Sequence, residues 1–541
     1  MRVEDIFLEW NHPLYRDYLH FFDRLQPYYT YPPGDDSSFH LRERILKKRE
    51  SPLSREELAR VISQYHAGEL EHPAVRSNLD RLTHSDSLVV VGGQQAGILT
   101  GPLYTIYKAI TLIQLAEREE RRLNRPVIPI FWIAGEDHDL EEVNHLHLIT
   151  QGKLEKWTLP VPDEHRPISS TVPDLDSLLR WIEELGWHLP DTPYKQELLA
   201  TLMELSQEPA SLSRHFARLM HRLFGRYGLL LIDSAFPPLR QLEIPFFTWL
   251  IEHNEALGEE WVKQSHRLEQ DGYPVTVDVH PDKAHLFLIV DGKREPLYRV
   301  GKGLFGTKDG QQTFTRGKLL EHLHQHPEDF SNNVLTRPLM QEYLFPTLAT
   351  VLGPGELAYW ALLKPAFSLA GMEMPILYPR IGLTLVGRKS EKEMNRYRLT
   401  VDDVFHRLEE KKRLWLKEQY QLDVDAVFRD VRTRLEEIYR PLIGQISGVR
   451  PDLQQMGETN RKLVLQQIEY LERETWKALA KREETDLSRF AQLETELYPK
   501  GQLQERVHNV IPWLNRYGEK WLEELVQTPL LSTRAHRVVF L

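Results

Sequence analysis

Three segments of this chain place glycine-punctuated polar residues next to an apolar run. Val89-Val90-Val91 leads into Gly92-Gly93-Gln94-Gln95-Ala96-Gly97 and on to Thr100-Gly101-Pro102-Leu103-Tyr104. Ile128-Pro129-Ile130-Phe131-Trp132-Ile133 leads into Ala134-Gly135-Glu136-Asp137-His138-Asp139. The third segment carries Asn332-Asn333 and Arg337-Pro338, followed by Gly353-Pro354-Gly355-Glu356. Strand-like apolar runs that end in glycine and then carboxylate, imidazole or amide side chains predict a ligand site at the strand ends of an α/β sheet.

At 541 residues the chain needs two or three domains to bury its apolar surface. Hydrophobic residues make up 41% and charged residues 27%, the balance of a soluble protein. The net charge of −11 argues against general affinity for nucleic acid or an anionic membrane. Cysteine is absent, which excludes disulfides, a thiolate nucleophile and a cysteine zinc cage. The start, Met1-Arg2-Val3-Glu4-Asp5, reads as no signal peptide, and no apolar run approaches the roughly 20 residues of a membrane helix. A cytoplasmic protein is the expectation.

Spacing divides the chain further. Ser54 with Glu57 has capping-box geometry and opens a helix through Leu58, Val61 and Ile62. Leu88–Val91, the helix Ile106–Leu115 and Val127–Ile133 read as a parallel βαβ unit. Residues 1–150 thus hold an N-terminal helical region and the first part of a Rossmann-like core. Residues 151–225 read as a helical insertion, with Asp176 capping a helix that ends at Gly186. Residues 226–330 return to the core at Leu229–Asp233 and add a β-rich subdomain with turns at Asp291-Gly292 and Asp309-Gly310. Residues 331–394 complete the core. From 395 to 497, Val424, Phe428, Val431, Leu435, Ile438 and Leu442 form one apolar seam, predicting a projecting coiled-coil helical hairpin, with an ordinary amphipathic helix pair packed on the globule as the alternative. Residues 498–541 end in Val538-Val539-Phe540-Leu541, a tail expected to dock on the core as a strand or plug.

The polar clusters suggest chemistry. Gly92 to Gly97 has the glycine spacing of a phosphate loop, but Ile98-Leu99 stands where Lys-Ser/Thr is required, so a Walker-type site is not expected. Gly92, Gly93 and Gly97 still permit close ligand approach, and Gln94, Gln95, Thr100 and Tyr104 suit sugar hydroxyls or a carboxylate. Alternatively the segment is only a tight strand-to-helix turn. Three carboxylates beside His138 would favour its protonated form, so Glu136, Asp137 and His138 are the candidate acid–base group, with Asp139 beside them. The duller reading is an acidic helix N-terminus. Arg337 offers two-pronged recognition of a carboxylate, with Asn332, Asn333, Gln341 and Glu342 around it and Pro338 placed to open a helix. An ordinary salt bridge competes for Arg337. Glu356, Tyr359 and Arg380 complete the candidate site. His322, His324, His326, His145 and His147 alternate but sit in polar text, so no metal is predicted. No His-Glu-x-x-His or Gly-x-Ser-x-Gly occurs.

These motifs also resemble a known family. Gly92–Gly97 with Thr100–Thr105, Ala134–Leu140, Ser331–Glu342, Gly353–Glu356 with Tyr359-Trp360, and Leu514–Gly518 look like the bacillithiol biosynthesis cysteine-adding enzymes. The resemblance implies a cytoplasmic ligase that joins cysteine to the amine of glucosaminyl malate. For such a ligase the expectation is that Arg337 anchors the malate carboxylates, that Gln94, Gln95 and Tyr104 bind the sugar or the developing oxyanion, and that Glu136, Asp137 and His138 manage the amine proton and orient cysteine. ATP is the expected energy source by analogy with other amino-acid ligases, and a homodimer the expected assembly. A nucleotidyl-transfer enzyme of class I synthetase type and a non-enzymatic coiled-coil scaffold are the alternatives.

Overall fold

The computed structural model describes residues 1–541 except Asn11, Ser51, Asp309, Gln311, Gln421 and Leu422. Its centre is a parallel sheet of five strands: β1 (Leu88–Gln94), β2 (Val127–Ile133), β3 (Leu230–Asp233), β4 (Thr347–Leu352) and β5 (Ile376–Pro379). The spatial order is β5-β4-β1-β2-β3. The strands run outward from β1 to β3 and then from β4 to β5 on the other side, so the winding order reverses between β1 and β4 and opens a crevice beyond their carboxyl ends. β2 is buried along its whole length, which explains its unbroken apolar sequence.

Helix α1 (Tyr104–Leu123) carries the chain from β1 to β2, longer than the Ile106–Leu115 expected from apolar spacing. It stops at Asn124, in the left-handed conformation that asparagine tolerates. Ahead of β1, the helix Arg55–His66 is capped by Ser54, whose hydroxyl accepts from Glu57 N–H at 3.3 Å. The carboxylate facing that hydroxyl is Glu56 rather than Glu57. Before β3 the chain forms a two-stranded ribbon (His145–Thr150 and Lys153–Thr158) and then helices. The helix Leu175–His188 is capped by Asp174, not Asp176, and runs past Gly186.

Helix α2 (Pro237–Glu252) follows β3. Next comes an antiparallel sheet of Lys283–Val290, Lys293–Gly301, Leu304–Thr307, Thr313–Thr315 and Phe330–Asn332. Asp291-Gly292 turns its first hairpin, while Asp309 of the other expected turn lies outside the described residues. Helix α3 (Thr336–Leu344) then leads into β4. Pro338 is its third residue rather than its first, so Arg337 lies inside the opening turn.

Helices α4 (Val424–Ser447) and α5 (Asp452–Arg482) pack side by side as an antiparallel hairpin. The expected seam is only partly covered: Val424 and Phe428 are buried, whereas Val431, Ile438 and Leu442 are exposed. The C-terminal tail docks as a strand, His536–Phe540, between Arg2–Ile6 and Gly382–Val386.

Candidate functional site

A cavity of about 610 Å³ opens at the carboxyl ends of β1 and β4. Its wall contains Gly93, Gln94, Gln95, Tyr104, Glu136, Asp137, His138, Asn332, Asn333, Arg337, Glu356, Tyr359 and Arg380. Segments more than two hundred residues apart in sequence therefore meet at one place: Gln94, Glu136–His138 and Gly353–Glu356 follow the carboxyl ends of β1, β2 and β4, and the strand Phe330–Asn332 of the antiparallel sheet brings Asn332–Arg337 to the same end.

Glycine makes this meeting possible at two positions. A Cβ on Gly93 would lie 3.3 Å from Arg337 Nη1 and 2.8 Å from the Trp132 carbonyl oxygen. A Cβ on Gly135 would lie 2.3 Å from an Asp233 carboxylate oxygen. Gly92 serves packing, not the cavity: its hydrogen faces Val351 on the neighbouring strand.

The expected contributions of Gly97, Thr100, Asp139 and Gln341 are corrected by their placement, since none lines the cavity. Gly97 packs on Gly101, and Leu99 and Thr100 adopt positive φ. The Asn509 side chain closes this knot by donating to the carbonyls of Leu99 at 2.9 Å and Gly101 at 2.6 Å. Asp139 stands at the N-cap position of the short helix Leu140–Val143 without a side-chain capping bond, and Gln341 is buried in α3. Of the two aromatics after Glu356, Tyr359 faces the cavity and Trp360 is core.

The wall is held by charged pairs. Arg337 donates to the Tyr359 hydroxyl and lies 3.9 Å from Glu356 Oε1. Burial opposes its charge, but Tyr359 and Glu356 outweigh this and hold its pKa above the usual value. Burial alone would raise the Glu356 carboxyl, yet Lys108 and Arg337 pull it below the ordinary range. Lys108 is fully buried one turn along α1 from Tyr104 and donates to Gly93 O at 2.6 Å, to Gln94 Oε1 at 3.2 Å and to Glu356. Arg380 reaches the wall, but its guanidinium is committed to Glu505 at 2.6 Å and Ile381 O at 2.9 Å.

The acid–base cluster also differs from expectation. Glu136 is 4% exposed, and its carboxylate accepts from Arg240 and from the Asn332 N–H at 3.1 Å. That makes it a brace for the wall rather than a free acid or base. The His138 pKa is lowered, not raised, first by burial and then by Arg294. Arg294 Nη1 lies 3.1 Å from His138 Nδ1 and 3.5 Å from Asp137 Oδ1. Asp137 keeps about a third of its side chain open, with Gln95 donating to it at 2.8 Å. Asn332 is buried, and its side-chain amide meets no partner among the described residues.

Arg294, Lys108, His285 and Arg506 were not read as site residues from sequence. Arg294 follows an Asp-Gly turn and looks like a solvated hairpin residue. Lys108 had a signal, since it is i+4 from Tyr104 on one helix face. Arg506 lines the cavity from the C-terminal segment and forms no ion pair among the described residues.

Comparison with known proteins covers the whole chain. Residues 1–381 match "Bacillithiol biosynthesis BshC, N-terminal Rossmann-like domain", and residues 383–541 match "Bacillithiol biosynthesis BshC, C-terminal coiled-coil domain". A protein of Geobacillus sp. (strain WCH70), titled "Putative cysteine ligase BshC", is 37% identical over 545 residues, covering 100% of both chains. One of the same title from Geobacillus kaustophilus is 38% identical over 517 residues, covering 95% of each. A third, from Bacillus cereus, is 33% identical over 526 residues, covering 97% of each. Sheet order, hairpin and full-length similarity agree, and this chain belongs to the BshC family of bacillithiol biosynthesis proteins.

Proposed function

We propose that this protein is a cytoplasmic ligase that forms an amide between the carboxyl of cysteine and the amine of glucosaminyl malate, giving bacillithiol. The observation that carries the reading is the convergence of Gln94, Asp137, His138 and Arg337 on one cavity. The titles of its relatives name a cysteine ligase, and the cavity supplies groups suited to that chemistry. Arg337 anchors a carboxylate of the sugar acid with a two-pronged donor. The amide of Asn332 and the side chain of Gln94 orient hydroxyls. Asp137, open to the cavity, accepts the proton that the attacking amine must lose. In the reaction a C–N bond forms, and the cysteine carboxyl oxygen leaves with its activating group.

ATP is the proposed source of that activation. With Gly97 and Thr100 folded beneath Asn509, the glycine segment presents no phosphate loop, and among the described residues Arg506 is the cavity cation with no ion pair, while Arg337, Lys283, Arg294 and Arg380 each have a carboxylate partner. The exposed Val431, Ile438 and Leu442 on α4 support a homodimer formed through the hairpin. The test is mass spectrometry of reactions holding cysteine and glucosaminyl malate with each nucleotide separately and with none. Bacillithiol appearing only with ATP, and lost in folded Arg337→Ala and Asp137→Asn variants, is the expected result. Pyrophosphate release without thiol product would instead indicate nucleotidyl transfer, and product formation unaffected by both variants would remove the site.

A further inference from the structure

We propose that Arg294 is a positioning residue for the ligation, holding His138 as the neutral tautomer with its proton on Nε2 and presenting that N–H to the cavity. The inference rests on the ligase reading for its chemistry, but its structural half stands alone.

Arg294 comes from the antiparallel sheet, 156 residues from His138 in the chain. Its guanidinium is fixed on three sides. Nε donates to Ser331 Oγ at 2.8 Å, Nη2 donates to the Asn332 carbonyl at 2.6 Å, and Nη1 faces His138 Nδ1 at 3.1 Å, with Asp137 Oδ1 farther off at 3.5 Å. The plane is also seated over the Phe287 ring, with Cζ 3.7 Å from its centroid. A guanidinium has only donors, so the nitrogen it faces must accept. Nδ1 therefore carries no proton, and the single proton of the neutral ring sits on Nε2. His138 lines the cavity, and its Nε2 has no protein partner among the described residues.

This assignment redistributes the chemistry. A ring with Nδ1 occupied and Nε2 already protonated cannot take the amine proton, so that task falls to Asp137. What the ring offers is a fixed neutral donor at the site where negative charge develops on the attacked carbonyl oxygen. The charged and titratable groups around the ring are Asp137 and Asp139 on its own segment, His165 from the following loop and Arg294 from the sheet, with the Phe287 ring completing its surroundings. Removing Arg294 frees Nδ1 to carry a proton and leaves Asp137 and Asp139 favouring a charged imidazolium, opposed by burial and by His165.

The first test is nitrogen NMR of the full-length protein labelled with ¹⁵N-histidine, with the His138 signals identified by their loss in His138→Gln. At neutral pH the wild-type ring is expected to show Nδ1 as a bare acceptor and Nε2 protonated. In Arg294→Met that pattern should give way to mixed tautomers or imidazolium. A wild-type ring protonated on Nδ1, or a pattern unchanged in Arg294→Met, overturns the proposal whatever reaction the enzyme catalyses. The second test is kinetic. Arg294→Met should lower kcat about 100-fold with little change in the KM for cysteine, the scale of losing one oxyanion donor. The acid limb of its kcat/KM profile should move to higher pH, and Arg294→Lys should restore part of the rate. Equal losses from Arg294→Met in wild-type and His138→Gln backgrounds would show that Arg294 does not act through His138 and would overturn that role.

Discussion

Arg337 Nη1 lies 3.3 Å from the point where Gly93 would carry a Cβ. The bare backbone of β1 is what admits the guanidinium of α3 to the strand end. The same methyl would stand 2.8 Å from the Trp132 carbonyl oxygen on β2, closer than real Cβ atoms come to a backbone atom.

Gly93→Ala should therefore force β1 away from β2 and displace Arg337 together. The expected cost is about 2 kcal/mol of stability, the usual scale of overpacking, with a loss of activity of at least about tenfold, one 1.4 kcal/mol step in barrier height. Gly444→Ala is the control, since a Cβ there meets nothing within 4 Å and the position is helical. It should gain up to about 1 kcal/mol. Urea unfolding of both variants, with ligation rates, checks the pair of expectations.

Arg337→Lys should behave almost as poorly as Arg337→Ala. The buried guanidinium serves Tyr359 and Glu356 at once, which one ammonium cannot reproduce. Loss of a charged hydrogen bond of about 1.5–3 kcal/mol implies a rise in KM of about 10- to 150-fold. That rise should fall on the acidic sugar substrate. Steady-state kinetics with each substrate varied in turn decides it, and a rise confined to cysteine would move Arg337 to the other subsite.

Much of this site was legible because strand ends announce themselves. Val89–Val91 and Ile128–Ile133 are apolar on both faces, and the glycines after them mark the turn toward the cavity. Glu136–His138 and Asn332–Arg337 followed from the same logic. The electrostatics were not legible, because sequence shows only neighbours along the chain. His138 has acidic neighbours on its own segment, yet burial and an arginine 156 residues away decide its protonation. Gly97 and Thr100 misled for the reverse reason: glycine spacing resembles a phosphate loop whether it wraps a ligand or, as here, the amide of Asn509. The seam on α4 was read correctly as helical, but periodicity alone could not say that Ile438 faces solvent instead of α5.

Glu505→Ala should destabilise the protein by about 3–5 kcal/mol, the scale of leaving one partner of a buried ion pair alone. Glu505 accepts from Arg380 at 2.6 Å with one oxygen and from the Leu383 N–H at 2.9 Å with the other. Both partners are buried, so neither recovers its bond from water. Glu505→Gln keeps an acceptor oxygen and should cost less. Urea denaturation of the three proteins gives the comparison, and an alanine variant as stable as wild type would exclude this pair as an anchor of the C-terminal segment.

Acidification should weaken the core through His66. Its Nε2 accepts from the Leu231 N–H on β3 at 2.9 Å, so the proton of the ring must sit on Nδ1, 3.0 Å from the Leu70 carbonyl. A second proton would break the bond to β3, and burial accordingly lowers the pKa to about 4. Above pH 6.5 the ring is neutral folded or unfolded and adds no pH dependence. Between about 6.5 and 4 only the unfolded chain takes the proton, so stability falls as pH falls through that window. The full contribution of one such ring is about 3 kcal/mol at 1.36 kcal/mol per pKa unit. His285 and His536, lowered by burial to about 3 and about 4, act in the same direction. The urea midpoint should thus drop between pH 7.5 and pH 5. His66→Gln should start lower at pH 7.5 and lose less on acidification, because the titrating group is gone. Parallel losses in the two proteins would mean that His66 is not protonated on unfolding in this range.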